Sequence, residues 1–262
     1  VPVKAPLAPL EFAFLADWFF TMRGIRGDVD LTLATPLDGP CAAPGCRRLL
    51  DTLLQGKGVR LVPAFRTARV DAGARLLIDQ DDAAIPYDLL VSIPQHLGAR
   101  VVGNTPGLGD DAGFVRTDAR TLQSLGDPAV FAIGDATDLP VAKDATVAHF
   151  EGEVLGRNVA HFLDGVALDA SFDGHDSCFV ETGFEKALLL DSTYDREPLP
   201  GKFPLPAFGP LSLLQESHLN HLGKLAFKWF YWNVLLAGHD IPGIHGPASA
   251  PRKQGRMAAP AP

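Results

Sequence analysis

The 262-residue sequence is poor in positive charge, in cysteine and in long apolar runs, and each shortage excludes something. Lys and Arg number 23 against 31 Asp and Glu, a net charge of -8, and the isoelectric point is near 5.4. A nucleic-acid surface needs a basic face, so no nucleic-acid partner is expected. Three cysteines, an odd number, fit a reducing compartment better than a disulfide framework. No run of about 18 uninterrupted apolar residues is present and no signal peptide opens the chain, so a spanning helix is not expected. Glycine-rich phosphate loops are missing too. Thr105-Pro106-Gly107-Leu108-Gly109 has two glycines without the spacing or the flanking strand of such a loop, and reads as a turn. The chain begins Val1-Pro2-Val3 rather than with Met, and its natural N-terminus is expected to lie upstream.

What is present is enough apolar residue, 47%, to bury a full core in one large or two small globular domains. Charge is uneven. From Lys202 onward six Lys and Arg face two acids, so the tail carries +4 and the remainder -12, which points the tail toward an anionic surface. Pro2 to Leu10 is broken by prolines and reads as extended chain and a turn. From Glu11, Phe12, Leu15, Ala16, Phe19 and Met22 recur at helical spacing, and Gly24 precedes an alternating strand over 28–35. A helix over 49–54 and a strand over 59–62 follow; helix, strand, helix, strand predicts a parallel sheet. Segments 67–71, 75–79 and 84–88 read as an antiparallel meander, and 88–94 as a buried strand by its continuous apolar run.

The stretch with most chemistry is Val130-Phe131-Ala132-Ile133-Gly134-Asp135, with a Pro-containing loop and then a helix over 147–163, on which Asn158 and His161 are expected to face out. It reads as a strand stopping on a glycine turn, with an acid at the carboxyl end of the strand, where α/β sheets bind ligands and where a carboxylate accepts hydrogen bonds from a sugar-like hydroxyl. The same acid could instead only cap the next helix. Strands are expected over 178–183 and 187–191. A capping box at Ser212-Leu213-Leu214-Gln215 opens a helix to Leu236, with Ser217, Asn220, Lys224 and Lys228 on one stripe and Leu222, Leu225, Trp229, Trp232 and Leu236 opposite; Phe230 and Tyr231 widen the apolar side. Two lysines and an asparagine make it a poor spanning helix and a good in-plane one, or one that packs on the core or on a second subunit.

Val130 to Pro140, followed by Ala145-Thr146-Val147-Ala148, resembles the second flavin fingerprint of the two-dinucleotide-domain flavoproteins. Lys4-Ala5-Pro6-Leu7-Ala8-Pro9-Leu10-Glu11 is similar to the Lys-Cys-Pro-x-Ala-Pro-x-Glu segment of sulfide:quinone oxidoreductases. The resemblance runs from about Val3 to Ile244. It implies an α/β chain with a second Rossmann-like domain, the return part of an FAD-binding Rossmann domain, and a small C-terminal α+β domain carrying an amphipathic helix. The boundaries it implies are 1–92 for a nucleotide-fold domain that does not bind nucleotide, 93–165 for the FAD part, 166–245 for the flavin-covering and membrane-docking part, and 246–262 for a disordered tail.

FAD is the cofactor so implied, held by Gly134, Asp135 on the ribityl chain, Lys143 near the pyrimidine side, Thr146, Val147 and Pro94, with the ADP-binding turn expected upstream. Cys178 is the thiol implied to meet a sulfur donor, with a small buried hydrophobe as its bland reading. Phe150 and Phe179 are implied at the quinone slot, with His149 or Glu151 relaying protons. Quinone, sulfide or another small sulfur donor, and a membrane surface through 212–236 are the implied partners, with a homo-oligomer possible and a peripheral place on the cytoplasmic side of the cell membrane. The family's reactive cysteine is Ala5 here, which keeps a non-catalytic flavin-fold scaffold open. Prolines at 6 and 9 donate no N–H where a pyrophosphate would sit, which counts against the type II NADH:quinone dehydrogenase alternative. Cys41 and Cys46, spaced C-x4-C in a loop, read as role-free loop cysteines; no metal site is expected.

Overall fold

A computed structural model describes residues 4–205 and 208–239. The elements begin with α1 (Ala8–Met22), β1 (Leu31–Ala34), α2 (Pro44–Gly56) and β2 (Val59–Val62). β1 and β2 pair in parallel, Leu31 opposite Val59, with α2 as the crossover, which is the parallel unit that the alternation predicts. The helix α1 starts three residues earlier than its periodicity implies, because Pro9 falls in the first turn, where the missing N–H has no partner to lose. Its buried face is Leu10, Ala13, Phe14 and Asp17, whereas Phe12, Phe19 and Met22 are exposed. The meander forms as β3 (Thr67–Asp71), β4 (Leu76–Asp79) and β5 (Ala84–Pro86), all antiparallel.

The strand expected over 88–94 does not form. The segment is irregular, and Leu89 and Val91 are 80% and 56% exposed; among the described residues no strand pairs with it, so the apolar run has nothing to be buried against. Phe131 likewise makes a single antiparallel bridge to Gln123 rather than a ladder, with Ala132 N–H on the Leu122 carbonyl at 3.1 Å. Loops fill most of the interval to α4 (Ala145–Leu163), interrupted by the short α3 (Arg100–Gly103). Asn158 on α4 is fully buried rather than facing out. Its amide reaches the carbonyls of Thr121 and Ala170, both at 2.9 Å, and its oxygen accepts from Ala170 N–H at 3.1 Å, so it pins two loops to the helix.

The hairpin β6 (Asp176–Gly183) and β7 (Lys186–Ser192) leads a four-stranded sheet completed by β8 (Gly201–Phe203) and β9 (Leu211–Leu213). The predicted capping box therefore lies in β9 and the turn after it. The helix cap is Ser217, whose hydroxyl accepts from Asn220 N–H, and α5 runs His218–Phe230 before a π-helical turn, Tyr231–Leu235. One core joins Leu10 and Phe14 of α1, Leu50 and Leu54 of α2 and Val180, Leu188 and Leu190 of the hairpin. A second gathers Leu122, Leu139, Val147, Phe150, Val154 and Phe172 around α4. Gly183 lets α1 approach: a Cβ there would lie 2.6 Å from the Trp18 Cβ. Cys41 and Cys46 are joined as a disulfide, so they are not role-free thiols, and the even pairing leaves only Cys178 reduced. The spacing alone carried no sign that the loop folds back. The basic residues expected to follow the helix, Arg252, Lys253 and Arg256, and the tail over 246–262 lie outside the described residues.

Replacing Asn158 by Leu leaves two buried backbone groups of Ala170 and the part-buried Thr121 carbonyl without this partner. At about 1–3 kcal/mol for each buried group, the unfolding free energy is expected to drop by at least about 2 kcal/mol, measured by urea denaturation. A loss below about 1 kcal/mol would mean that these groups are satisfied without it.

Candidate functional site

Gly134 takes a φ of +60°, a conformation that favours glycine, and starts a single 3-10 turn that carries Asp135 out of the bridged segment. The Gly134 N–H donates to Glu151 Oε2 at 2.5 Å. Glu151 is fully buried, and its other oxygen has no hydrogen-bond partner. It therefore sits beneath the turn as a brace. Asp135 is 60% exposed at the tip and pairs with Lys4 Nζ at 2.5 Å. Lys4 is fixed in turn by its backbone, whose N–H donates to His96 Nδ1 at 2.9 Å and whose carbonyl accepts from Lys143 N–H at 2.9 Å. A cavity of about 300 Å³ opens here, walled by Lys4, His96, Phe114, Asp138 and Lys143 among others. Pro94 lies two residues from His96 on the exposed irregular segment, close to this wall.

Lys143 hangs between the Leu139 carbonyl, 3.2 Å away, and the Phe114 ring, 5.8 Å away. Burial pulls its pKa below the ordinary lysine value, against the pull of Glu151, Asp135 and Asp138. The start of α4 is capped by Asp144, whose Oδ1 accepts from Val147 N–H at 2.9 Å. Val147 thus has its amide occupied and its side chain in the second core; Thr146, half-buried, lies between.

Behind the turn, Phe150 is buried and stacked on His175, with centroids 4.5 Å apart and planes 12° apart. His175 Nε2 meets Asp191 Oδ2 at 2.8 Å, and Arg196 meets the other Asp191 oxygen at 2.8 Å. Phe179, on β6, faces Phe227 of α5 at 6.4 Å. Phe227 neighbours Tyr231 at 6.1 Å, Tyr231 neighbours His149 at 6.2 Å, and His149 neighbours Phe150 at 6.1 Å. The two quinone-slot residues named from sequence are therefore linked by one string of rings from α4 to α5. His149 also sits 3.8 Å from Glu153.

Cys178 is half-buried and its thiol donates weakly to its neighbour's carbonyl at 3.6 Å. Burial pushes it up to about 12, with Asp176, Asp144 and Glu11 adding and Lys224 opposing. Burial also pushes Asp176 up to about 7, and raises Asp144 and Glu151. Sequence reasoning missed Lys4, His96, His175, Asp176, Phe227 and Tyr231. Two of them were within reach: Asp176 shares a strand face with Cys178 by period-two alternation, and Tyr231 follows Phe227 by one helical turn.

The geometry defines a mixed α/β chain in which a glycine–acid turn heads a capped helix and a small sheet packs against that helix. No family profile matches the chain. It is similar to sulfide:quinone oxidoreductases. The mitochondrial enzyme of Schizosaccharomyces pombe is 27% identical over 259 residues, covering 93% of this chain and 54% of its own length. That of Mus musculus is 26% identical over 245 residues, covering 91% and 53%. The chain thus spans about half the length of these curated relatives. In fold, the sulfide:quinone oxidoreductase of Aquifex aeolicus matches with a TM-score of 0.69 at 17% identity, over 87% of this chain and 55% of that one. A chain of the Tetrahymena thermophila mitochondrial ATP synthase matches with a TM-score of 0.63 at 19% identity, over 85% and 53%. Two such different settings mean that the fold by itself does not decide activity.

Because Asp144, Glu151 and Asp176 all have raised pKa values, the native state keeps protons that the unfolded chain releases. Stability is therefore expected to fall as pH rises from about 4, the unfolded value, through about 7, where Asp176 titrates. Thermal midpoints taken across that window check it, and Asp176→Asn should flatten the decline. A rise over the same window would contradict the protonation assigned here.

Proposed function

We propose that this chain carries the flavin turn, the sulfur-facing strand and the bilayer-facing helix of an FAD-dependent oxidoreductase that passes electrons from sulfide or a related sulfur donor to a membrane quinone. The observation that carries it is the Gly134–Asp135 turn: braced by Glu151, it presents an exposed carboxylate at the head of α4, whose other side abuts the strand bearing Cys178. These residues fit the ribityl end of FAD, with a carboxylate to accept its hydroxyls, cations Lys4 and Lys143 alongside, and a glycine where a side chain would meet Ala148 at 3.4 Å. Bound there, FAD would supply the two-electron relay between donor and quinone. Holding it falls to Gly134, Asp135, Lys143, Thr146, Val147 and Pro94, contact with the donor to Cys178, and the quinone to Phe150 and Phe179. For Phe150, buried in the second core with His175 stacked on one face, this requires part of the ring to be uncovered.

The domain reading follows the same lines: 1–92 as the nucleotide-like part, 93–165 as the return of the FAD part, and 166–245 as the cover. The docking part is supported by an inversion in α5. Of its polar stripe, Ser217, Asn220 and Lys224 face the protein, with Asn220 fully buried, and Lys228 is exposed beside Leu222, Leu225, Trp229, Phe230, Trp232 and Leu236, which face solvent. Trp229 and Trp232 are 59% and 64% exposed. At roughly 25 cal/mol per Å², leaving that face in water costs several kcal/mol, which an interfacial position would recover. Among the described residues no helix is long and apolar enough to cross a membrane. A peripheral place at the membrane is the reading this supports. Ala5, where the relatives' motif has cysteine, favours as second reading a flavin-fold scaffold without turnover.

Changing Trp229, Phe230 and Trp232 together to Ser should release the protein from anionic vesicles in a sedimentation assay without altering its circular dichroism. Continued sedimentation, or unfolding, would make α5 a packing element. In the full-length protein, Asp135→Ala should weaken flavin retention by about 5- to 150-fold, read from visible absorbance per protein, since an unpaired group costs about 1–3 kcal/mol. Unchanged occupancy would reduce Asp135 to a turn residue.

A further inference from the structure

The Cys41–Cys46 disulfide closes a loop onto the first turn of α2, a turn that its own sequence holds only weakly. Pro44 suits a first helical position, but the N-cap Ala43 offers no side-chain acceptor and Gly45 favours no winding. Partners from elsewhere hold it instead. Cys46, the third helical residue, is bonded to Cys41 in the preceding loop. Gly45 N–H donates to Glu197 Oε2 at 3.1 Å, which puts a carboxylate at the positive end of the helix. The Gly45 backbone also lies so close to Pro198 that a Cβ there would be 2.7 Å from the Pro198 carbonyl oxygen. The closed loop carries a cost of its own. Arg47 folds back over Gly39, where a Cβ would lie 2.9 Å from the guanidinium Nε, and that Nε is buried with no hydrogen-bond partner. A stranded charged donor destabilises the closed form, and opening the loop to water relieves it. The opened form has its own acceptor: the Ala43 carbonyl lies 3.2 Å from each sulfur, within reach of a thiol formed at either. Both sulfurs are buried, but Ala42, Pro44 and Gly45 between them are exposed, so the loop lies at the surface and a reductant reaches the bond when it hinges outward.

We propose that Cys41 and Cys46 form a reversible thiol switch: oxidised, the pair keeps the first turn of α2 wound against Glu197 and Pro198; reduced, it lets that turn fray and releases the segment. The reductant is a dithiol, whose two S–H groups give two electrons and two protons to the bond, leaving two cysteine thiols in this chain and a disulfide on the reductant. Composition agrees. A small, odd number of cysteines fits a reducing compartment, where the disulfides that form are usually transient or redox-sensing. The released segment adjoins the second core. Arg196 precedes Glu197 and pairs with Asp191, which in turn meets His175, stacked on the Phe150 ring. Tyr194 marks where the release stops, because its ring packs on Phe172 and its hydroxyl donates to the Ala119 carbonyl at 3.3 Å. The switch thus ends beside the ring to which the quinone is assigned; that consequence rests on the proposed function, whereas the switch itself does not.

The test equilibrates the full-length protein in dithiothreitol buffers of graded oxidised-to-reduced ratio, without denaturant. Free thiols are alkylated, the peptide holding Cys41 and Cys46 is quantified by mass spectrometry, and hydrogen exchange is read on the same samples. Reduction should speed exchange at the amides of Gly45 and Arg47, and at those of Glu197 and Leu199, at least about tenfold, while Tyr194 and β7 keep their rates. Cys41→Ser with Cys46→Ser should show the fast exchange with or without the dithiol. Should that double variant fail to fold, the reduced wild type gives the same reading. Arg47→Met, which removes the stranded donor, should shift the redox midpoint about fivefold toward the oxidised form. Three results would each overturn the proposal: faster exchange confined to residues 40–47, which would make the bond a local staple; a bond that the dithiol opens only as the protein unfolds; or an Arg47→Met midpoint equal to that of the wild type. No sulfur donor, flavin or quinone enters the assay, so the switch and the electron-transfer reading fail separately.

Discussion

A single carboxylate, Glu11, ties three elements together. Sitting in the first turn of α1, it accepts from the Glu181 N–H of β6 and from the Lys224 ammonium of α5. Those are charge-assisted hydrogen bonds in partly buried surroundings, where each is worth more than its surface equivalent and where losing one partner strands the other. The hairpin is thereby fixed between α1 on one face and α5 on the other, and α4 meets the same strand at its Asp176 end. What stands near Cys178, near Phe179 and near the glycine turn is decided by how β6 is clamped.

That clamp also explains why α5 is inside out. Asn220 spends its amide on the Ser212 and Gln215 carbonyls and its oxygen on the Ser212 N–H, and Lys224 and His221 find carboxylates on β6 and α1. With most of its polar side consumed by specific partners, the helix presents its apolar side outward, with Lys228 alongside. An ordinary surface helix does the reverse. The arrangement costs solubility, and it gives the exposed face a fixed orientation relative to the ring string that runs back to α4.

Periodicity made the local elements legible: the parallel pair, the meander, the hairpin and α4 and α5 all follow from spacing, with helix ends displaced by a few residues. What failed to show was whatever depended on partners distant in sequence. Residues 88–94 look like a buried strand because apolar runs usually find a sheet, yet among the described residues no strand pairs with them. Asn158 looks like a surface residue by composition, whereas two loops from outside its helix close over it. The turn at Gly134 was legible as a turn because glycine followed by an acid after apolar residues has few other uses; that its brace would be Glu151, seventeen residues on, was not. Similarly, Cys178 was visible as an isolated thiol, but the burial that raises its pKa, and the carboxylates that add to it, come from elements packed around its strand. Charge environments are made by tertiary structure, and no window of sequence contains them.

The first core joins residues near position 10 to residues near position 190. During synthesis, β1, α2 and β2 can associate soon after they emerge, because their contacts are local. Leu10 and Phe14 remain only partly covered until the hairpin has left the ribosome, well over a hundred residues later. Closing so long a loop costs little extra free energy, but it sets the order of events and lengthens the time for which an apolar helix face is open to chaperones or to other nascent chains. The pace of translation through the stretch between α2 and β7 therefore sets how long that face stays open.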